Sequence, residues 1–233
     1  MNLSKLENES YETIKNSDLT VFSVKDLCLL LSMNRIKAYN LIKSLKKKKA
    51  IKSIGRNFVL EETNEFEIAG ALHFPSYISF WSALNYYGFS DNTPKKFFIA
   101  TTKQKKEVKG FKFTTISQKR FFGYTSVGKI TIAEKEKAII DSLLFPKYAG
   151  GIKEIETSLK NALREIDMKK LVDYAFQIKS KAGLRRLGFL LEKLKTKSPK
   201  RLKSAIGKGY ELLDPTLEKK NNLNKKWLLD VNI

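Results

Sequence analysis

Residues 23–60 carry the pattern that most restricts how this chain can fold. Ser23 precedes Val24-Lys-Asp-Leu-Cys-Leu-Leu-Leu31, in which Leu27, Leu30 and Leu31 share one helical face. Serine is a favourable N-cap, and Asp26 three residues on complements the helix dipole. Ser32-Met33-Asn34 is a three-residue turn whose asparagine can cap the next helix. That helix is predicted from Arg35 to Lys48, with Ala38, Leu41, Ile42 and Leu45 as its buried stripe. Ile51-Lys-Ser-Ile54 and Phe58-Val-Leu60 then flank Gly55-Arg-Asn, two short β segments around a basic turn. Two helices joined by a short turn and followed by a hairpin predict a winged helix-turn-helix. The stretch from Leu3 to Asn16 is its expected first helix.

Charge gathers on the same stretch. Between Arg35 and Arg56 there are nine basic residues and no acidic one. The whole chain of 233 residues holds 45 Lys plus Arg against 24 Asp plus Glu, a formal charge of +21. Such an excess points to a polyanionic partner, nucleic acid before an anionic membrane surface. A helix in the major groove presents its N-terminal half to base edges. Arg35 could then reach guanine or phosphate, Asn40 adenine, and Tyr39 a thymine methyl or a phosphate. Asn34, Lys37 and Lys47 complete the helix side, and Lys43, Lys52, Arg56 and Asn57 suit the backbone. Lys46-Lys-Lys-Lys49 could instead serve only to neutralise the helix C-terminus. The expected partner is double-stranded DNA, read by paired domains if the operator is an inverted repeat.

Counting removes other classes. A single cysteine, Cys28, excludes an intramolecular disulfide framework and a Cys-based zinc cluster. A single histidine, His73, excludes a multi-His metal site, and at the end of an apolar segment it reads as structural. The polar start is not expected to be a signal peptide, and no run of about 18 apolar residues occurs. The chain is therefore expected to be cytoplasmic, with no metal or cofactor.

The remainder predicts an α+β protein: an N-terminal winged helix-turn-helix (1–62), a mixed α/β domain with a C-terminal helical part (67–195), and a basic tail (196–233). Ser76–Tyr87 is apolar on most sides and is expected as one buried helix, stopped by Gly88. Lys96–Thr102 and Phe111–Ile116 are predicted strands, with more strand material around Gly123 and Gly128. Helices are expected over Ala133–Phe145, Ile152–Ile166 and Met168–Leu194. Thirteen basic and two acidic residues lie between Lys169 and Lys208. Lys181, Arg185, Arg186 and Lys193, off the leucine stripe of the last helix, form a possible second nucleic-acid patch. The tail, with Pro199, Gly207, Gly209 and Pro215, is expected to pack loosely.

Several blocks in order resemble a known family. They are Tyr77-Ile-Ser-Phe-Trp-Ser-Ala-Leu-Asn-Tyr-Tyr-Gly88, Pro94 with Phe98-Ile-Ala-Thr-Thr102, and Phe121-Phe-Gly-Tyr124. Ile132-Ala-Glu-Lys135 through Ala138-Ile-Ile-Asp141, and Pro146-Lys-Tyr-Ala-Gly-Gly151, continue the series. From about residue 20 to 180 the chain resembles the antitoxins of type IV abortive-infection toxin–antitoxin systems, the AbiEi type. The resemblance implies a repressor of its own operon. It also implies that a cognate nucleotidyltransferase-like toxin is countered without a stable complex.

Two rivals remain open from the residues. Glu134 and Asp141, seven apart on a helix with Glu136 between, could serve a metal-dependent nuclease. However, the comparable strand ends Thr101-Thr102-Lys103, with threonine where such a nuclease would place a carboxylate. Glu134 reads better as a helix N-terminal charge and Asp141 as a partner of Lys137. The chain is thus expected not to be an enzyme. Alternatively, residues 67–195 could bind a partner protein directly. The glycines match no phosphate-loop spacing, and Phe80, Trp81, Tyr86 and Tyr87 read as core rather than a stacking platform.

Overall fold

The computed structural model describes residues 2–196 and 200–233. Lys197, Ser198 and Pro199 of the expected tail lie outside the described residues. The fold is mixed α/β, in line with the α+β expectation, and contains two apolar cores.

The smaller core belongs to the first sixty residues. Helices α1 (Lys5–Lys15), α2 (Val24–Leu30) and α3 (Arg35–Lys47) are followed by the antiparallel strands β1 (Ile51–Ile54) and β2 (Asn57–Leu60). Ser4 with Glu7 and Ser23 with Asp26 form reciprocal capping boxes on α1 and α2, and Asn34 caps α3. Each cap satisfies backbone N–H groups that the helix leaves without partners. Gly55, at φ +61°, makes the tight turn between the strands. Phe22 pairs with Phe58 through the backbone, tying the α1–α2 connection to the hairpin. Ile14, Phe22, Leu27, Ala38, Ile42 and Leu45 are buried together beneath these elements. Glu7 also fastens α1 to α3, accepting hydrogen bonds from Ser44 and from the Lys48 ammonium. Those bonds, Lys48's above all, hold its carboxyl at about 2, well below the usual 4.5.

The larger core is built on a five-stranded mixed sheet in the order β5-β4-β3-β7-β6. These strands are β3 (Ser76–Ile78), β4 (Phe97–Thr101), β5 (Phe111–Thr115), β6 (Tyr124–Val127) and β7 (Ile130–Ala133). Packed with them are α4 (Glu65–Ala71), α5 (Phe80–Tyr86), α6 (Lys135–Leu144), α7 (Ile152–Ala162), α8 (Met168–Gln177) and α9 (Lys181–Lys193). The single helix expected over Ser76–Tyr87 is instead the central strand β3 followed by the short α5. All three residues of β3 are buried, and it pairs with β4 on one side and β7 on the other. A strand buried on both faces has no alternation to show, so its composition matches that of a buried helix. The helical stretch expected over Met168–Leu194 divides at Lys179, whose φ is +55°, and Ser180 then caps α9 through Gly183 N–H.

The tail does not pack loosely. It adds α10 (Lys200–Ser204) and a small sheet of β8 (Glu211–Leu212), β9 (Leu223–Asn224) and β10 (Leu229–Asp230). Leu202, Ile206, Leu213, Trp227 and Leu229 join the larger core. The Trp227 ring lies on the backbone of Gly188, where an added Cβ would come within 2.1 Å of it, so α9 needs glycine at this crossing. The indole N–H donates to Glu192. Asn232 donates to the carbonyls of Asp214, Leu217 and Glu218, closing the tail onto itself.

Candidate nucleic-acid interface

Helix α3 turns Ala38, Leu41, Ile42 and Leu45 inward, which leaves the rest of its surface to solvent. Arg35, Lys37, Tyr39, Asn40, Lys43, Lys46 and Lys47 are all exposed on it. Asn40, Lys43 and Lys47 fall four, seven and eleven residues after Ile36, so these four lie along one face. Ile36 is 73% exposed, an apolar side chain standing among cations. Sequence reasoning missed it. Its only signal was an aliphatic residue off the buried stripe. Such a group suits contact with a thymine methyl.

The candidate residues are not equally free. The Arg35 guanidinium lies 5.5 Å from the centre of the Tyr39 ring and donates to its hydroxyl at 3.3 Å. That bond raises the arginine above its usual range, and it presents the two side chains as one unit, one turn apart. The Asn34 carboxamide oxygen accepts from Lys37 N–H at 2.9 Å, so its cap role is the one filled. Lys52 is half-buried and donates to the Glu61 carbonyl at 3.1 Å. Arg56 is exposed in the hairpin turn, and Asn57 is half-buried at the start of β2. The arrangement places an exposed, acid-free cationic helix and a basic hairpin turn on one small scaffold.

The second patch is corrected by the structure. Arg185 and Arg186 are 1% and 5% exposed. Arg185 donates to the carbonyls of Ile206 and Lys208, and Arg186 to those of Leu143, Leu212 and Leu213. The tail folds over α9, and these arginines satisfy four carbonyls of the tail and, at Leu143, one of α6. Burial lowers the proton affinity of Arg186. Lys193 is exposed but paired with Glu156 at 2.7 Å, and exposed Lys181 packs alongside Gly207. The four residues therefore do not form one cationic surface.

The carboxylates of the nuclease alternative are also engaged. Asp141 is 1% exposed and pairs with buried Lys137, while Tyr77 and Ser79 donate to its other oxygen at 3.0 and 2.8 Å. Burial lowers the proton affinity of Lys137 and raises that of Tyr77. Glu134 receives the Tyr174 hydroxyl and the Lys170 ammonium. Burial opposes its charge, but those two donors outweigh it and leave its pKa lowered. Among the described residues, no group of three or more His, Cys, Asp or Glu side chains is placed to hold a metal ion. His73 packs edge-on against Phe113, and burial depresses its basicity. Phe80 is fully buried, and Trp81, Tyr86 and Tyr87 pack against the same core. Among the described residues, no helix is long and apolar enough to cross a membrane.

No protein-family model matches the chain, and no curated protein matches it in sequence. In structure it is similar to the RV2827C protein from Mycobacterium tuberculosis, with a TM-score of 0.67. The likeness covers 98% of this chain and 92% of that one at 10% sequence identity, and it is a likeness of fold.

Proposed function

We propose that residues 1–62 act as a winged helix-turn-helix that binds double-stranded DNA, and that the chain represses its own operon. The observation that carries this reading is the solvent-facing surface of α3, which is cationic, lacks any acid, and carries Tyr39, Asn40 and Ile36 between its charges. Phosphate-seeking lysines give affinity, and the arginine, amide and apolar groups can read base edges. The resemblance to AbiEi-type antitoxins adds the second half of the proposal. The chain would counter a nucleotidyltransferase-like toxin in the type IV manner, without a stable complex.

The DNA reading is tested by titrating the protein into its own upstream DNA and an unrelated duplex at two salt concentrations. Preference for its own DNA by about a thousandfold supports an operator reader. Equal binding to both would reduce the charge to a general nucleic-acid coat. The antitoxin reading is tested by co-expression with a nucleotidyltransferase-like toxin from the adjacent gene. Restored growth without co-purification is expected, and growth arrest despite expression would end it.

A further inference from the structure

A cleft of about 750 Å³ lies between the β1–β2 hairpin and the five-stranded sheet. Its size is that of a small-molecule site, and a boundary between two cores is a common place for one. One wall is aromatic. Phe66 meets Phe97 edge-on at 4.9 Å, and Phe97 stacks on Phe111 at 5.6 Å, yet Phe66 and Phe97 are only half-buried. The cleft is also cationic. Lys52, Lys95 and Lys109 line it against a single carboxylate, Glu65. Nearby Lys96 and Lys112 both pair with Glu107, whereas Lys95 and Lys109 have no acidic partner among the described residues.

An apolar, aromatic wall beside uncompensated ammonium groups suits a ligand with a flat ring at one end and negative charge at the other. We propose that this cleft binds a nucleotide, its base against Phe66 and Phe97 and its phosphates at Lys95 and Lys109. Aromatic contact supplies dispersion and burial, and lysines supply point charges for phosphate. The hairpin contributes Lys52–Gly55 to the cleft, so a bound nucleotide holds the hairpin against the sheet. Arg56 sits in the same hairpin turn. An effect of the nucleotide on DNA binding therefore follows, and that consequence alone rests on the proposed DNA reading.

The test is a calorimetric titration of the full chain, without DNA, using ATP and GTP, with tripolyphosphate and adenosine as controls. One saturable site is expected, with a nucleotide binding at least about tenfold more tightly than either control. Lys95→Glu with Lys109→Glu, both exposed, should weaken it by at least about tenfold, while Lys219→Glu with Lys220→Glu, exposed between β8 and β9 and outside the cleft, leaves it unchanged. Circular dichroism confirms that both variants fold. Amide exchange should slow over residues 51–60 when nucleotide is added. No saturable binding, equal binding of tripolyphosphate, or equal loss in the Lys219/Lys220 variant would each overturn the proposal. Arg35→Ala should bind nucleotide normally, so failure of the DNA reading would leave this result standing.

Discussion

Arg35 and Arg56 face solvent, whereas Arg185 and Arg186 lie inside the protein and donate to five backbone carbonyls. The two stretches look alike in composition, since each concentrates lysine and arginine with few acids. What separates them is the neighbouring backbone. Helix α3 has its inward stripe covered by α1, α2 and the hairpin, and nothing among the described residues covers its other side. Helix α9 is covered twice, by neighbouring helices and by the returning tail, whose turns around Ile206, Lys208 and Leu213 leave carbonyls that need donors. A planar guanidinium with five N–H groups can satisfy several carbonyls at once, so arginine serves there as a structural joint. Local charge density alone therefore does not tell a ligand-facing surface from a buried scaffold.

The buried side of this comparison should fail through stability. Lys137→Met strands the Asp141 carboxylate in the core and should cost about 3–5 kcal/mol in chemical denaturation. Lys137→Met with Asp141→Leu should recover much of that loss, because neither charge is then left alone. Gly188→Ala forces the Trp227 ring from its place, and Arg186→Ala leaves three carbonyls without a donor. Each should cost about 3 kcal/mol or more, with DNA affinity per folded molecule retained. A variant at Arg186 that stays stable but loses DNA binding would erase the distinction drawn here.

The exposed side should fail through affinity. Arg35→Ala is expected to weaken binding to upstream DNA by about 1–3 kcal/mol and to relax base preference, with an unchanged melting temperature. Lys43→Ala should weaken binding to all sequences alike and reduce the salt slope by about 1. The smallest effect belongs to the Glu7 latch. Its carboxyl sits at about 2 when folded and near 4.5 otherwise, so it stabilises the fold above the latter value and ceases to do so as pH falls through 2. The stability difference between the parent and Glu7→Gln, measured by denaturation from pH 6 down to pH 2, should shrink toward zero. A difference that does not change with pH would remove Glu7 as the acid-sensitive tie between α1 and α3.

The N-terminal unit was legible because its signals are local. Ser23, Asn34 and Gly55 each mark an element end within a few residues, and the caps formed as the sequence suggests. The pairing of Lys137 with Asp141 was legible for the same reason, since one helical turn joins them. Its burial was not, because that depends on Tyr77 and Ser79, about sixty residues away. Strand β3 was hidden by burial on both faces, and the tail by its two-residue strands, which are too short to show a periodic pattern. In the candidate site, the cations of α3 could be seen from spacing. The Arg35–Tyr39 pairing and the exposure of Ile36 required the folded helix.

The most direct measurement is a titration of upstream DNA and an unrelated duplex with four proteins: the parent, Arg35→Ala, Lys43→Ala, and Lys181→Ala with Lys193→Ala. If α3 is the reading surface, the first substitution collapses the preference for upstream DNA, and the second lowers both affinities together. The paired α9 variant then binds like the parent. If both α3 variants bind like the parent while the α9 variant loses affinity, the DNA surface lies on the C-terminal helices and the N-terminal unit is a scaffold.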